Sequence, residues 1–499
     1  MRGASVRGGR IGRCLALAAA MPLALGSLPA AAQPAPPPAA PAPVPPPPAA
    51  QIPALTPTQA ATALAVLNAA DEHGLQPKDY LPKALPDVEA LTPEQQAQLT
   101  QGLLNYAREL RIGRMDPGEF PELWAVRPAP YDPAPELAKA LAENRLQPWL
   151  NSLAPRYSGY AALKRGLARY RDIAQAGGWK AIPEGPAMGL GSKDVRVAAL
   201  RERLAAEDPQ VAADGPAVLD KALQEAVVRA QRRYGLRPDG IVGKGLLAHL
   251  NQPVGQRILQ IIANMERWRW MPPTMPATRV QVNAGAAIVT LFKDDKPVLS
   301  MKAVSGAPDN QTPMLVSAIH SVVINPPWNV PTRIANEELW PKERANPGYL
   351  ARNGYRVIPV EGGQPRLQQA SGDESALGRF KFDFDNPFTV YLHDTPAKAG
   401  FDRFSRQESH GCVRLEKPRE LAEALLGTDP KWTPEAIDEA LGDGSKTQRV
   451  RLTEHVPVFI LYWTAFAGAD GQMHFRSDPY NWDRELLQRV GVLAKGTKT

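Results

Sequence analysis

Cysteine is nearly absent from this chain, which has only Cys14 and Cys412 among its 499 residues. A framework of several disulfides and a zinc site built from cysteine clusters are therefore excluded. The seven histidines are scattered and no H-E-x-x-H sequence occurs, so the metalloprotease pattern is missing as well. We expect neither a metal nor a cofactor.

Long runs of one charge are also missing. The formal net charge is +7, and four of the positive charges are arginines within the first 13 residues, a segment without acids. The remainder of the chain is therefore close to neutral for its length. A mild positive charge without a basic run gives no reason to expect nucleic acid as a partner.

Beyond the N-terminus, no apolar run is long enough to span a bilayer. The N-terminus itself is different, because arginines precede an apolar stretch from Cys14 to about Leu25 and Ala30–Ala32 precede Gln33. This is the pattern of a secretory signal peptide over residues 1–32. The alternative is an uncleaved anchor, the one case in which we expect contact with a membrane.

Cleavage would leave Cys412 as the only thiol in an oxidising compartment, where it cannot form an internal disulfide. Cys412 is then a buried thiol without a function, a partner in an intermolecular disulfide or a reactive nucleophile.

Residues 33–54 are rich in proline. Such sequence favours extended polyproline II and cannot build a core. We interpret it as a semi-rigid spacer between the export site and the folded part; a ligand for a proline-binding module is the alternative.

Residues 55–188 are predicted to form an α-helical scaffold. In its clearest helix Thr92 can cap the N-terminus, Pro93 suits the first turn, Gln95 completes a capping box and Gly113 ends the helix. The periodic apolar face of this helix consists of Leu99, Leu103, Tyr106 and Leu110. The segment shows no catalytic constellation.

Residues 189–252 are predicted to form three short helices, with the turn-rich sequence "YGLRPDGIVG" just before the third. This unit resembles the peptidoglycan-binding domain of cell-wall enzymes, a resemblance that implies glycan binding. The alternative is a spacer without a ligand groove. A helical connector over residues 253–275 follows.

The pattern then changes to short β-branched strands, which predict a mostly β domain over residues 276–470. A long interruption at about 327–380 is interpreted as a partly helical cap beside the site. Asp470-Gly471 predicts a tight hairpin turn, and residues 471–499 are expected to supply the returning strand and a helix.

Cys412 needs a base, because a free thiol is only a few per cent ionised at neutral pH. His410 lies two residues earlier and would face the same side of an extended segment. His393 lies nineteen residues earlier, at the end of a predicted strand, and would have to arrive from a neighbouring strand.

The segments "YLHDTPAK" and "SRQESHGCVRL" together resemble the catalytic motif of the L,D-transpeptidases. The pieces "NPPWNVP", "NPGYL" and "SALGRFKF" extend the resemblance to the large Gram-negative subfamily. This resemblance implies an α+β multidomain protein: an α-helical scaffold, a small three-helix peptidoglycan-binding domain and a mostly β catalytic domain with a partly helical cap.

The resemblance also implies a role for each motif residue. Cys412 is the nucleophile, His393 is the general base, and the backbone carbonyl of Asp394 orients the imidazole. The Asp394 side chain is poorly placed for that task, because it follows the base by one residue. Backbone N–H groups around Gly411 and Cys412 would form the oxyanion hole, and His410 would help shape the pocket.

The remaining site residues are expected to contact substrate. Arg414 would either hold a substrate carboxylate by a bidentate contact or brace the loop. Tyr391 and Trp328 are expected as pocket walls, with ordinary packing as the alternative. Ser409 is the fourth residue that we expect to contact substrate.

The implied reaction starts from a stem tetrapeptide of peptidoglycan. The thiolate attacks the carbonyl of meso-diaminopimelate, D-alanine leaves, and the side-chain amine of another stem resolves the acyl-enzyme to give a 3→3 cross-link. The predicted signal peptide implies a periplasmic location, with retention at the inner membrane if the signal segment is uncleaved. Membership of this subfamily implies acylation by carbapenems and cell-wall synthases as partners.

Three alternatives stay open at the level of sequence. Water could resolve the acyl-enzyme, as in an L,D-carboxypeptidase. A lipoprotein lysine could be the acceptor. From another class, a wall-binding scaffold with an inactive site would lack the chemistry altogether, although the His393 and Cys412 spacing is complete.

Overall fold

The computed structural model describes residues 51–83 and 87–494. The predicted signal peptide, with Cys14, and most of the Pro-rich spacer lie outside these residues. Within them, no helix combines the length and the apolar composition needed to cross a membrane.

The N-terminal part is helical, as expected. Thr92 forms the predicted capping box, since its hydroxyl accepts from Gln95 N at 3.3 Å and the Gln95 side chain accepts from Thr92 N at 2.9 Å. Most of these helices enclose a core of their own, which contains the predicted leucine face. The helices are α1 (Pro57–Asn68), α2 (Pro93–Ile112), α3 (Ala134–Ala142), α4 (Leu146–Ser152) and α5 (Ser158–Gln175).

The next unit has the predicted helices α6 (Arg196–Glu207), α7 (Lys221–Arg233) and α8 (Lys244–Leu250). Its attachment is a buried polar cluster: Glu207 pairs with Arg203 at 2.8 Å and accepts from the Tyr170 hydroxyl of α5 at 2.6 Å. Because a buried charge is costly unless it is paired and hydrogen-bonded, these contacts favour one fixed arrangement of α5 and α6.

The connector helix α9 (Val254–Arg269) lies within the predicted connector segment, residues 253–275. Pro253 occupies the N-cap, where its missing N–H costs nothing. The helix is buried and contacts both neighbours: Asn264 donates to the Thr464 hydroxyl at 2.7 Å, and Arg269 donates to the Tyr160 hydroxyl of α5 at 3.2 Å. The connector helix is therefore part of the core.

Among the described residues, nine strands form the main sheet. They are β1 (Arg279–Asn283), β2 (Ile288–Lys293), β3 (Lys296–Gly306), β4 (Leu315–Ile324), β8 (Phe380–Phe384), β9 (Leu392–His393), β10 (Gln407–Ser409), β11 (Val413–Leu415) and β12 (Gln448–Leu461). Their order in the sheet is β10-β3-β11-β9-β8-β4-β12-β1-β2, with a further β2–β3 pairing.

The cap is a separate layer with its own apolar core, formed by Val330, Ile334, Ala335, Leu339, Leu350 and Leu367. It is partly helical, as predicted, but strands β5, β7 and β6 also pair in that order. The sequence pattern missed them because they are only two to four residues long. The cap elements are β5 (Trp328–Asn329), α10 (Thr332–Ile334), a π-helix (Ala335–Leu339), α11 (Trp340–Ala345), α12 (Tyr349–Arg352), β6 (Tyr355–Ile358) and β7 (Arg366–Gln369).

Helices α13 (Pro418–Leu426) and α14 (Pro434–Leu441) follow the cysteine segment. The predicted hairpin is present as β13 (Ala465–Ala467) paired with β14 (Met473–Phe475), with Gly471 in the left-handed region at φ +73°. Helix α15 (Trp482–Arg489) follows it, and the segment between them carries Tyr480 into the core beneath the cysteine loop.

Candidate active site

The cysteine and the base candidate lie at neighbouring strands in the middle of the sheet. Strands β9 and β11 are parallel and pair His393 with Arg414. At the start of β11, Val413 N donates to Tyr391 O at 3.1 Å, which sets Cys412 beside Tyr391, the residue before β9. Because alternate residues of a strand share a face, Cys412, two residues before Arg414, is a diagonal neighbour of His393 on one face of the sheet.

The His393 imidazole is buried and held by main chain. Its Nδ1 lies 2.5 Å from the carbonyl oxygen of Asp394. Burial, and then the positive charges of Arg414 and Lys381, lower the pKa of His393 to about 3, against the opposing effect of the Asp394 carbonyl. The ring is therefore neutral at physiological pH, and a neutral ring that donates from Nδ1 leaves Nε2 free to accept a proton.

The Asp394 carboxylate is engaged elsewhere. Its oxygens accept from Arg379 N at 2.8 Å, from Thr395 N at 2.7 Å and from Lys398 Nζ at 2.6 Å. These contacts fix the turn after β9. The side chain is thus placed to shape the turn, whereas the main-chain carbonyl meets the imidazole.

Cys412 is the free cysteine of the described chain and is partly exposed. Burial raises the pKa of its thiol, while hydrogen bonds from the Tyr391 main chain and side chain, together with the charge of Lys381, lower it. Within residues 51–83 and 87–494, no hydrogen bond joins the thiol to His393. The resting pair is accordingly a neutral thiol and a neutral imidazole.

Tyr391 links the thiol to the cap. Burial, and then interaction with Cys412, raise the pKa of the phenol, while a hydrogen bond with the Trp328 side chain opposes that rise. The Tyr391 ring lies 5.5 Å from His393, and Lys381 Nζ lies 4.2 Å from the phenol ring centroid. The two expected pocket walls therefore contact each other, and Tyr391 contacts the thiol.

The loop before the thiol is tightly built. Gly411 has φ +113°, a conformation that L side chains rarely adopt. The Ser409 hydroxyl accepts from Gly411 N at 3.1 Å and donates to Cys412 O at 2.6 Å. Ser409 is buried and its hydroxyl faces its own loop, where it satisfies two main-chain groups; its contact with substrate stays a prediction.

His410 points away from the thiol and towards the cap. Its Nε2 lies 2.6 Å from Glu338 Oε1 in the π-helix. Arg333, one turn earlier in the cap, donates to the Asn310 side chain in the loop between β3 and β4. The cap thus touches the cysteine segment through Glu338 and the β3–β4 loop through Arg333.

Arg414 stands beside His393 on the strand face. Burial lowers the pKa of its guanidinium, and Glu408 and Cys412 oppose this shift. In the described part of the chain, Arg414 makes neither a side-chain hydrogen bond nor a salt bridge. A half-buried cation with this freedom can receive a substrate carboxylate.

Sequence reasoning missed Lys381 and Glu338. Lys381 is the register partner of His393 on β8 and forms a 2.7 Å ion pair with Asp383. The alternation in "FKFDF" places both charged residues on one face, yet the pairing of β8 with β9 is not readable from that pattern. Glu338 lies 72 residues from its partner His410, and no local signal joins them.

Family comparison divides the chain into matched segments. Residues 277–450 match the family described as "L,D-transpeptidase catalytic domain". Residues 53–167 match "Scaffold domain", and residues 193–250 match "Putative peptidoglycan binding domain". The expected α+β multidomain fold class is confirmed. Domains of this kind act on peptidoglycan, outside the cytoplasm.

A curated relative from Haemophilus influenzae, named "Putative L,D-transpeptidase", is 32% identical over 243 residues. The match covers 46% of this chain and 48% of the relative, so the chain spans about half the length of that protein.

Solved structures that are similar include an L,D-transpeptidase from Xylanimonas cellulosilytica, with 17% identity, coverage of 56% of this chain and 98% of that one, and a TM-score of 0.19. The catalytic domain of the E. faecium L,D-transpeptidase acylated by ertapenem has 16% identity, coverage of 38% and 99%, and a TM-score of 0.20. Likeness at these TM-scores is too weak to support an inference.

Proposed function

We propose that this chain, which carries an L,D-transpeptidase catalytic domain behind a scaffold domain and a peptidoglycan-binding domain, forms 3→3 cross-links between stem peptides. The observation that carries the proposal is the pairing of β9 with β11, which brings Cys412 and a neutral His393 to one face of the sheet.

The donor reaction would begin with proton transfer from the Cys412 thiol to His393 Nε2. The sulfur attacks the carbonyl of meso-diaminopimelate, the carbon–nitrogen bond to D-alanine breaks, and the proton leaves with the amine. The neutral imidazole supports this order, because an imidazolium could not accept the proton. As the acceptor amine attacks the thioester, the same ring would take a proton from it, the carbon–sulfur bond would break, and the proton would return to the Cys412 sulfur.

Arg414 would hold a carboxylate of the stem peptide. A guanidinium without an ion-pair partner, close to the nucleophile, favours this role over bracing of the loop. The neighbouring Lys381 is already paired with Asp383, so its contribution would be the field that keeps His393 neutral.

The cap would restrict water at the acyl-enzyme, which favours transfer to an amine over hydrolysis. Trp328, Glu338 and Arg333 support this function, because each reaches from the cap to a residue around the thiol.

We further propose that the chain works in the periplasm after export by its first 32 residues, and that cell-wall synthases supply its substrates. The predicted limits 55–188, 189–252 and 276–470 stand as our proposal for the three domains. Acylation of Cys412 by carbapenems belongs to the same proposal.

The test is incubation of the protein with purified tetrapeptide muropeptides, followed by mass analysis of products and of intact protein. Wild type should give a dimer that has lost one alanine, whereas Cys412→Ala and His393→Ala should not. His455→Ala, at an exposed histidine, is the matched control and should behave as wild type.

Other products would decide among the alternatives. A free tripeptide indicates an L,D-carboxypeptidase, and a product formed only with a lysine-bearing peptide indicates lipoprotein attachment. If neither muropeptide nor carbapenem adds mass to Cys412, the proposal is wrong and the domain is a wall-binding scaffold.

The cap can be tested separately, because Asn329 and Gln368 are register partners on β5 and β7. Residues 330–367 can therefore be replaced by a two-residue Asn-Gly turn that preserves the pairing. We expect the ratio of dimer to hydrolysed tripeptide to fall in this variant. An unchanged ratio would contradict the proposed screening from water.

A further inference from the structure

One buried threonine holds the peptide group that joins Gly411 to Cys412. Thr312 is fully buried, and its hydroxyl donates to Gly411 O at 2.8 Å. The Thr312 hydroxyl oxygen also accepts from Gly306 N at 2.8 Å. The hydroxyl thus connects the end of β3 with the cysteine loop, across 99 residues of sequence.

Thr312 is itself held by the C-terminal segment. Its N–H donates to the Tyr480 hydroxyl at 3.2 Å, and that hydroxyl donates to Gly306 O at 2.7 Å. Trp482 Nε1 donates to the neighbouring Gln311 at 3.0 Å. A Cβ on Gly306 would lie 2.0 Å from Asn310 O, so the loop is packed closely against the end of β3.

This arrangement has a consequence for the next N–H group. In a trans peptide the C=O and the following N–H point in opposite directions. Because Thr312 binds Gly411 O on the buried side, the N–H of Cys412 is directed away from Thr312. In the part of the chain that the structure describes, this N–H has no hydrogen-bond partner, whereas the N–H of Gly411 is taken by Ser409.

We propose that Thr312 is a positioning residue for the oxyanion hole and that the N–H of Cys412 is the donor it aims. The inference rests on the proposed function. As the Cys412 sulfur bonds to the substrate carbonyl carbon, the C=O π electrons move to oxygen and the thiol proton moves to His393. A fixed N–H dipole stabilises that oxygen anion without having to reorganise.

Two reactions of the same sulfur test the role. Acylation by a carbapenem passes through an oxyanion, whereas alkylation by iodoacetamide displaces iodide and forms none. Intact-mass kinetics should be measured for both reactions with wild type, Thr312→Val and Thr312→Ser. The valine variant keeps the shape and loses the hydroxyl; the serine variant keeps the hydroxyl.

In Thr312→Val we expect the limiting first-order rate of acylation to fall about 10- to 100-fold, the scale of a small misplacement of catalytic groups. Its carbapenem dissociation constant and its alkylation rate across pH should stay within about threefold of wild type. Thr312→Ser should restore acylation. Tyr480→Phe, which leaves the threonine hydroxyl in place, should shift acylation in the same direction by a smaller factor.

The inference is overturned if Thr312→Val acylates like wild type, or if acylation and alkylation fall together, as a merely structural role would require. Should the valine variant fail to fold, an unchanged acylation rate in Tyr480→Phe overturns it instead. Failure of the proposed function is distinguishable, because wild type itself would then form no muropeptide dimer.

Discussion

Tyr391→Phe is the substitution that most directly tests how the Cys412 thiol is tuned. The variant keeps the ring between Trp328 and His393 and removes the phenol hydroxyl. The hydroxyl is one of the groups that lower the pKa of Cys412 against the larger effect of burial. Its loss should therefore raise the pKa of the thiol further.

The magnitude follows from the strength of the lost bond. A hydrogen bond to a charged group contributes about 1.5–3 kcal/mol, and each pKa unit corresponds to about 1.4 kcal/mol, so the pKa of Cys412 should rise by about 1–2 units. The fraction of thiolate near neutral pH then falls about 10- to 100-fold. Nucleophilicity rises with basicity at a Brønsted slope of about 0.4–0.5, so the net loss of rate should be about 4- to 12-fold.

The assay is the rate of iodoacetamide alkylation of Cys412 against pH, followed by intact mass. In Tyr391→Phe the midpoint should move up by about 1–2 units, and the plateau above the midpoint should be higher than in wild type. Tyr131→Phe is the matched control, because it removes a phenol that bonds Glu136 at 2.7 Å on the scaffold. Coincident midpoints for wild type and Tyr391→Phe would refute the reasoning.

Three further outcomes are expected. Asp394→Asn should keep more than about a tenth of the dimer-forming kcat/KM, since the imidazole is held by a main-chain carbonyl; a loss near 10⁴-fold would instead assign the role to the carboxylate. Glu338→Gln, which weakens the half-exposed pair with His410, should raise the share of hydrolysed tripeptide about two- to fivefold, because such pairs contribute about 0.5–1 kcal/mol; an unchanged share in product analysis would contradict this. Unfolding should become easier as pH falls from about 6.5 towards 4, at about 1.4 kcal/mol per pH unit for each buried neutral imidazole, because the unfolded chain binds protons that the folded chain cannot. Thermal unfolding temperatures measured between about pH 7 and pH 5 check this. An unfolding temperature that does not change with pH would count against the lowered pKa values of about 3 for His73 and His393 and about 4 for His249 and His474.

Local sequence patterns correctly predicted the features that depend only on neighbouring residues. The capping box at Thr92 could be read from the sequence because cap and partner lie three residues apart. The hairpin after Asp470 was readable for the same reason. The short strands of the cap were not, because two to four residues are too few to show alternation.

Even within the motif, the sequence does not specify the orientation of the Ser409 side chain. The letters S-H-G-C place a hydroxyl three residues before the nucleophile, and nothing in them says which way it turns. The left-handed Gly411 decides this, because the tight loop directs both Gly411 N and Cys412 O at the Ser409 oxygen. The hydroxyl thereby supports the loop, a role that the motif letters did not indicate.

The sequence alone determined the order of the modules and the residue types of the chemistry, since helix periods, strand alternation and the spacing of His393 from Cys412 are properties of neighbouring residues. Only the tertiary structure decided which distant groups surround the motif: Tyr480 bonds Thr312, Lys381 is in register with His393, and Glu338 pairs with His410. These contacts join residues far apart in the chain, and they depend on strand register and on the packing of the cap, neither of which a linear pattern specifies.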